Sequence, residues 1–216
     1  MFDDVVRRYD LLNDVLSLGF DRWWRRKTVA ALGAPHGPVL DLGCGTGRLG
    51  ERLAGRSAVV GVDLSHAMLL AARARLGGRM RLVAGSAYRL PFAERTFSGA
   101  VSGFVLRNLD DLPRAFAEVG RVLEPGAGIA MVDITEPASP VLRRAFDAYF
   151  RVAAPAVGAW VGKRDAYRYL VRSLVQLPPP DAICSMLDHA GFRSSRARTL
   201  APGMVTLWTA VKERHA

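Results

Sequence analysis

A chain of 216 residues, half of them apolar and 23% charged, is long enough to bury a core of its own, which excludes disordered, collagen-like and disulfide-dependent designs. The net charge of +10 comes from 27 arginines and three lysines against 20 acids, spread along the chain without a block of five like charges, so it describes solvated faces rather than a basic tail. Cys44 and Cys184 have neither paired nor metal-ligand spacing, which suits a cytoplasmic location and leaves no metal site to expect.

The opening Met1-Phe2-Asp3-Asp4 is acidic where an export signal carries a basic leader, and no apolar run reaches the roughly 18 residues of a membrane span. Residues 4–31 read as helical, with Val5, Val6, Tyr9, Leu12 and Leu16 recurring at three or four and a break at Gly19. Pro38 to Leu42 is a short apolar run ended by glycines, the pattern of a buried parallel strand, and a helix is expected over Arg48 to Leu53. Ala58 to Val62 reads as the second strand, Ala67 to Leu76 as a helix ended by Gly77-Gly78, and Met80 to Ala84 as the third strand. Gly99 to Phe104, the helix Asp111 to Leu123 and Gly128 to Asp133 continue the alternation, which predicts an α/β protein with a parallel sheet.

Residues 137–176 interrupt the pattern as a helical insertion between strands five and six. A helix then covers Asp181 to Ala190, and the strands Arg196 to Leu200 and Val205 to Val211 flank the turn Ala201-Pro202-Gly203, which forces them antiparallel. The whole chain, 1–216, is expected to form one domain with an N-terminal helical cap over 1–34.

The segment Asp41-Leu42-Gly43-Cys44-Gly45-Thr46-Gly47 places a carboxylate at the end of strand one and three alternating glycines before a helix, a loop in which a ligand can touch backbone. Asp63 closes strand two, twenty residues after Gly43, where a carboxylate can accept both ribose hydroxyls of an adenosine ligand. The Gly-x-Gly-x-Gly spacing lacks the step that seats a pyrophosphate on a helix N-terminus, so a sulfonium nucleoside fits better than a dinucleotide.

With these residues the chain resembles the class I S-adenosylmethionine-dependent methyltransferases. The similarity extends through Tyr9-Asp10, Asn13-Asp14, Trp24-Arg25, Leu90-Pro91-Phe92, Phe104-Val105-Leu106-Arg107-Asn108, Arg121 to Gly126, Tyr169-Leu170 and Ala190-Gly191-Phe192 to the quinone C-methyltransferase family of menaquinone and ubiquinone biosynthesis. It implies a Rossmann-like sheet of seven strands, mostly parallel with one antiparallel strand and with helices on both faces. It also implies S-adenosylmethionine as cofactor and an isoprenoid quinol as substrate. Peripheral membrane contact and a homodimer are further expectations.

On this resemblance the cofactor is expected to meet Asp41, Gly43, Gly45, Thr46, Gly47, Asp63, Leu64, Ser86, Ala87 and Gly103, and catalysis to involve Arg107, Asn108 and Tyr9. Arg107 would stabilise a developing oxyanion and Asn108 would position a water that carries the proton away. A surface ion pair of Arg107 with Asp110 or Asp111 is the alternative. Tyr9 either closes over the cofactor or packs in the core, and Trp23, Trp24, Phe146, Phe150 and Trp160 either line a channel for the isoprenoid or belong to the core.

Four positions depart from the family pattern. Ser86 stands in place of a stronger adenine partner, Tyr88 replaces an acid, Gly103 a serine, and Val105 a glycine, which narrows the pocket beside Arg107. A different phenolic or lipidic acceptor is therefore a second expectation. Nucleic acid is not expected, because Gly103-Phe104-Val105-Leu106 bears no likeness to the Asn/Asp-Pro-Pro-aromatic stretch of base amino-methylating enzymes. Cys44 is expected to be a small packing residue.

Overall fold

The computed structural model describes Asp14, residues 17–149 and residues 177–214. Its elements in chain order are α1 (Asp21–Leu32), β1 (Val39–Leu42), β2 (Val59–Asp63), α2 (His66–Leu76), β3 (Arg81–Ala84), β4 (Phe97–Gly103), α3 (Leu112–Val122), β5 (Leu123–Ile134), α4 (Pro140–Ala148), α5 (Pro180–His189), β6 (Phe192–Leu200) and β7 (Val205–Lys212). They build a seven-stranded sheet in the order β3-β2-β1-β4-β5-β7-β6, with β7 antiparallel to both neighbours and every other pairing parallel. The expected α/β architecture with one reversed strand is therefore the one observed.

Both faces of the sheet are covered. Alternation along the strands sends Leu40, Leu42, Phe97, Ile129 and Trp208 to one side, where they pack against Phe116 and Val119 of α3 and Ile183 and Leu187 of α5. Val39, Val101, Ala130 and Val132 face the other side and meet Trp24 of α1 and Ala72 and Leu76 of α2. β1 and β4 are buried on both faces, and in such strands polar and apolar residues do not alternate, which is why β1 reads as a short, mostly apolar run.

Helix ends follow local chemistry. Ser65 caps α2, its hydroxyl accepting from the Met68 amide, and Gly77 closes it in the left-handed region at φ 54°. Asp111 caps α3 by accepting from the Arg114 amide at 3.0 Å. The Leu90-Pro91-Phe92 segment is pinned to α3. The Leu90 amide donates to Glu118, Arg121 donates to the carbonyls of Leu90 and Phe92, and the Arg121 hydrogen bond holds the Glu118 carboxyl below its ordinary value.

One element differs from expectation. The stretch expected as a helix over Arg48 to Leu53 is a single 3-10 turn, Gly50–Arg52, because its backbone is drawn under the glycine loop. There the Gly50 amide donates to Asp41 at 2.8 Å, and a Cβ at Gly50 would lie 2.7 Å from the same carboxylate oxygen. β6 is longer than expected because it carries a bulge between Arg193 and Arg196, where Ser194 turns to φ 56°. Of the expected insertion, α4 lies within the described residues; Phe150, Trp160 and Tyr169 lie outside them, as does Tyr9.

Candidate active site

The carboxyl ends of β1, β2, β4 and β5 surround a cavity of about 640 Å³. That volume falls in the range of small-molecule sites and exceeds what one nucleoside needs. On one side it is walled by the glycine loop and the end of β2: Gly43, Gly45, Thr46, Asp63, Leu64 and Ser65. Across from them stand Phe104, Val105, Arg107 and Asn108, with Trp24 of α1 and Phe146 of α4 completing an apolar wall.

The glycine loop is shaped by positive φ at Gly43, Gly45 and Gly47. At Gly45 nothing lies within 4 Å of where a Cβ would be, so its backbone is presented to open space. Gly43 is the opposite case: a Cβ would fall 2.4 Å from Val105 Cγ2, so Val105 stands directly against the loop and narrows the cavity. Asp63 is locked from below. One carboxylate oxygen accepts the Gly45 amide and the other the Ser65 amide, both at 2.8 Å, and each oxygen keeps a further lone pair for a hydroxyl donor.

Asp41, Gly47, Ser86 and Ala87, expected as cofactor contacts, do not line this cavity. Ser86 accepts the Tyr88 amide within a tight bridge to Arg89, and Ala87 packs against the core. Tyr88, in place of an acid, accepts the amides of Asp110 and Asp111 through its phenol oxygen. Asp41 points beneath the loop because strand alternation turns it away from the side of Leu40 and Leu42.

Burial pushes the Asp41 carboxyl from 3.8 up to about 7, the Gly50 amide opposing only part of that, and its Oδ1 has no hydrogen-bond partner among the described residues. A folded-state value above the unfolded one means stability is full below about pH 4 and is lost as pH rises toward 7, by up to about 4 kcal/mol. Asp41→Asn removes this titration. Its melting temperature should exceed that of the wild type at pH 8, and the gap should close toward pH 4; a gap independent of pH would refute the assignment.

Cys44 is buried against Gly61, and burial together with Asp41 raises its thiol, so it is held protonated as the small packing residue expected.

Arg107 sits on a 3-10 turn, Leu106–Asn108, immediately after β4, with its side chain 6% exposed. Its partner is neither Asp110 nor Asp111. Asp133 near the end of β5, fully buried, forms an ion pair with the guanidinium through Nη1 and also accepts the Arg107 backbone amide at 3.1 Å. Arg107 Nε is buried and has no hydrogen-bond partner among the described residues. Leaving such a donor unsatisfied costs about 1–3 kcal/mol.

Between these elements lies Phe104, which carries the left-handed φ of 64°, an outlier for a bulky side chain. Its ring is flanked by two guanidiniums, Arg25 at 5.1 Å and Arg107 at 6.0 Å, with the Trp24 ring at 6.1 Å. Strain of about 1–3 kcal/mol persists where surroundings impose it, and such positions cluster at functional sites. Charges continue outward from Arg25 to Asp21, from Asp21 to Arg48, and from Arg48 to Asp14, tying α1 to the residue after the glycine loop.

Asp133, Phe104 and Arg25 are among the residues at the site to which sequence reasoning gave no role there. Trp24 and Phe146 line the cavity as one of the two expectations had it, and Trp24 also belongs to the core on that face as the other had it; Trp23 is half-buried, packed against the same core with Lys27 over its ring.

The fold is similar to that of a SAM-dependent methyltransferase from Thermotoga maritima, at a TM-score of 0.69 and 20% identity with 98% of each chain covered. The demethylmenaquinone methyltransferase of Mycobacterium sp. strain JLS is 40% identical, over 98% of this chain and 92% of its own. The ubiquinone/menaquinone biosynthesis C-methyltransferase UbiE of Syntrophotalea carbinolica is 38% identical, over 97% and 91%. Residues 1–212 match the ubiE/COQ5 methyltransferase family. With the sheet order, the glycine loop and the cavity all in agreement with that match, the chain belongs to the ubiE/COQ5 methyltransferase family.

Proposed function

We propose that this chain methylates a ring carbon of an isoprenoid quinol in menaquinone or ubiquinone biosynthesis. The observation that carries the reading is a cavity with an adenosine-compatible wall, the glycine loop and Asp63, facing an apolar wall from which the buried guanidinium of Arg107 projects. The methyl donor is S-adenosylmethionine, which when bound supplies a methyl group activated by positive sulfur. The residues present fit it: Gly45 leaves backbone bare at the cavity, and Asp63 has lone pairs left for two ribose hydroxyls.

The chain's own contribution is orientation, exclusion of water and management of one proton. A quinol ring carbon becomes nucleophilic when a neighbouring hydroxyl ionises, and an unperturbed phenol does so near pH 10. Arg107 hydrogen-bonds the oxygen as its charge develops, which favours the phenolate. Asn108, on the same turn, holds the water that accepts the hydroxyl proton; once the methyl group has left sulfur for the ring carbon, that carbon sheds its own hydrogen as a proton to restore the aromatic ring and the oxygen is re-protonated, so that one proton is released overall. The walls formed by Trp24, Phe104 and Phe146 keep bulk water from the reacting carbon. The exposed side chains of Leu18, Phe20, Val141 and Leu142, before α1 and on α4, support peripheral contact with the membrane that stores a tailed quinol. In the described residues no helix is long and apolar enough to cross one.

Val105 against Gly43 favours a second reading, in which a slimmer phenol is the acceptor. A panel of demethylated naphthoquinol, demethylated benzoquinol and simple phenols, offered with methyl-labelled S-adenosylmethionine under reducing conditions, separates the two. Label in a quinol is the expected result; label confined to simple phenols would favour the second reading, and label in neither would contradict both.

A further inference from the structure

Arg107 reaches the cavity from one 3-10 turn, and a long flexible side chain anchored only by its backbone would not hold a fixed direction. One carboxylate removes that freedom at both ends. Asp133 Oδ2 accepts the Arg107 main-chain amide, Asp133 Oδ1 pairs with Nη1, and the Ile134 amide donates to Oδ1 at 2.7 Å, which fixes the carboxylate in turn. The ring of Phe104 lies 6.0 Å from the guanidinium carbon. What remains is the edge of Nε and Nη2, of which Nε is buried and unpartnered among the described residues, on a side chain that lines the cavity.

We propose that Asp133 is a positioning residue for methyl transfer: it clamps the turn and the Nη1 end of Arg107 so that the remaining guanidinium edge, Nε and Nη2, is left for the oxygen of the acceptor ring. This deepens the quinol reading above and rests on it. Asp133 also neutralises the guanidinium overall, so Arg107 acts on the acceptor through a directed hydrogen bond more than through net charge. Removing the carboxylate charge should therefore have two opposite consequences. Alignment is lost, so turnover falls. The cation is uncompensated, so a bound quinol ionises at lower pH.

Asp133→Asn tests both. The expected result is a kcat lower by about 10–100-fold, as is usual when a group that orients a functional ligand is lost. The affinity for S-adenosylmethionine stays unchanged, and a short-tailed demethylated quinol, bound with S-adenosylhomocysteine and followed by its phenolate absorbance, titrates at lower pH than in the wild type. Asp133→Glu should restore the titration midpoint and part of kcat. Wild-type kcat and midpoint in Asp133→Asn would overturn the proposal, as would loss of turnover in step with cofactor affinity at an unmoved midpoint. Should the Asn variant not fold, the wild-type protein decides. The Arg107 Nε–Hε resonance must shift when the quinol is added to the S-adenosylhomocysteine complex, and an unmoved resonance overturns the assignment. A wild type that methylates no quinol would instead defeat the underlying reading, which the turnover assay reports separately.

Discussion

Arg107→Lys is expected to lower kcat for methyl transfer by about 100–1,000-fold while leaving the affinity for S-adenosylmethionine within a few-fold of wild type, the loss typical of one donor to a developing oxyanion. Lysine is the informative replacement because Asp133 is fully buried. Arg107→Ala would strand that carboxylate without a cation, at about 3–5 kcal/mol of stability, and a lost activity would then report unfolding. Lysine keeps the charge for Asp133 but cannot present the second N–H edge of a guanidinium. Steady-state kinetics with the quinol, alongside a melting curve, measure the two effects apart. Near-wild-type turnover in the lysine variant would mean that charge alone suffices and that the free guanidinium edge is irrelevant.

Asp63→Ala is expected to weaken binding of S-adenosylmethionine roughly 10- to 150-fold, the equivalent of losing about 1.5–3 kcal/mol of hydrogen bonding to a charged group. Two losses combine at this position. The ribose hydroxyls lose their acceptor, and the Gly45 and Ser65 amides lose the carboxylate that holds the loop and the start of α2 against the cavity. Titration calorimetry reads the first, and Asp63→Asn separates the second, because the amide oxygen still accepts one backbone N–H. Unchanged affinity in the alanine variant would remove Asp63 from the cofactor site.

These residues differ in how legible they are in the amino-acid sequence. The glycine loop and Asp63 are legible because short-range rules govern them: strands of four or five apolar residues, glycines where φ must be positive, a carboxylate at a strand end. Parallel order followed from strand and helix alternation, and the single reversed strand from the tight Ala201-Pro202-Gly203 connection. Asp133 was not legible as the partner of Arg107, 26 positions away. Their meeting depends on β5 lying beside β4 in a register that pairs Gly103 with Val132, so that the residues just beyond each come together at the carboxyl edge. Asp110 and Asp111, nearer in sequence, are turned to the Tyr88 phenol and to the cap of α3 instead.

A usable signal did exist. Asp133 ends the apolar run Ile129-Ala130-Met131-Val132 as Asp63 ends β2, and a carboxylate in that place must find a cation or a ligand. Asp41 shows the limit of the same rule. It too lies near a strand end, yet alternation turns it under the loop, where it holds Gly50 and does not line the cavity described above. Phe104 carried no warning at all, since its left-handed backbone is imposed by the packing of Arg25, Trp24 and Arg107 around its ring.

Transfer of a 13C-labelled methyl group from S-adenosylmethionine to a demethylated quinol, with the product resolved by NMR, tests the reading of this cavity most directly. A carbon-bound methyl resonance on the quinol ring, accompanied by loss of one ring proton, is the predicted result. An oxygen-bound methyl, with every ring proton retained, would contradict it.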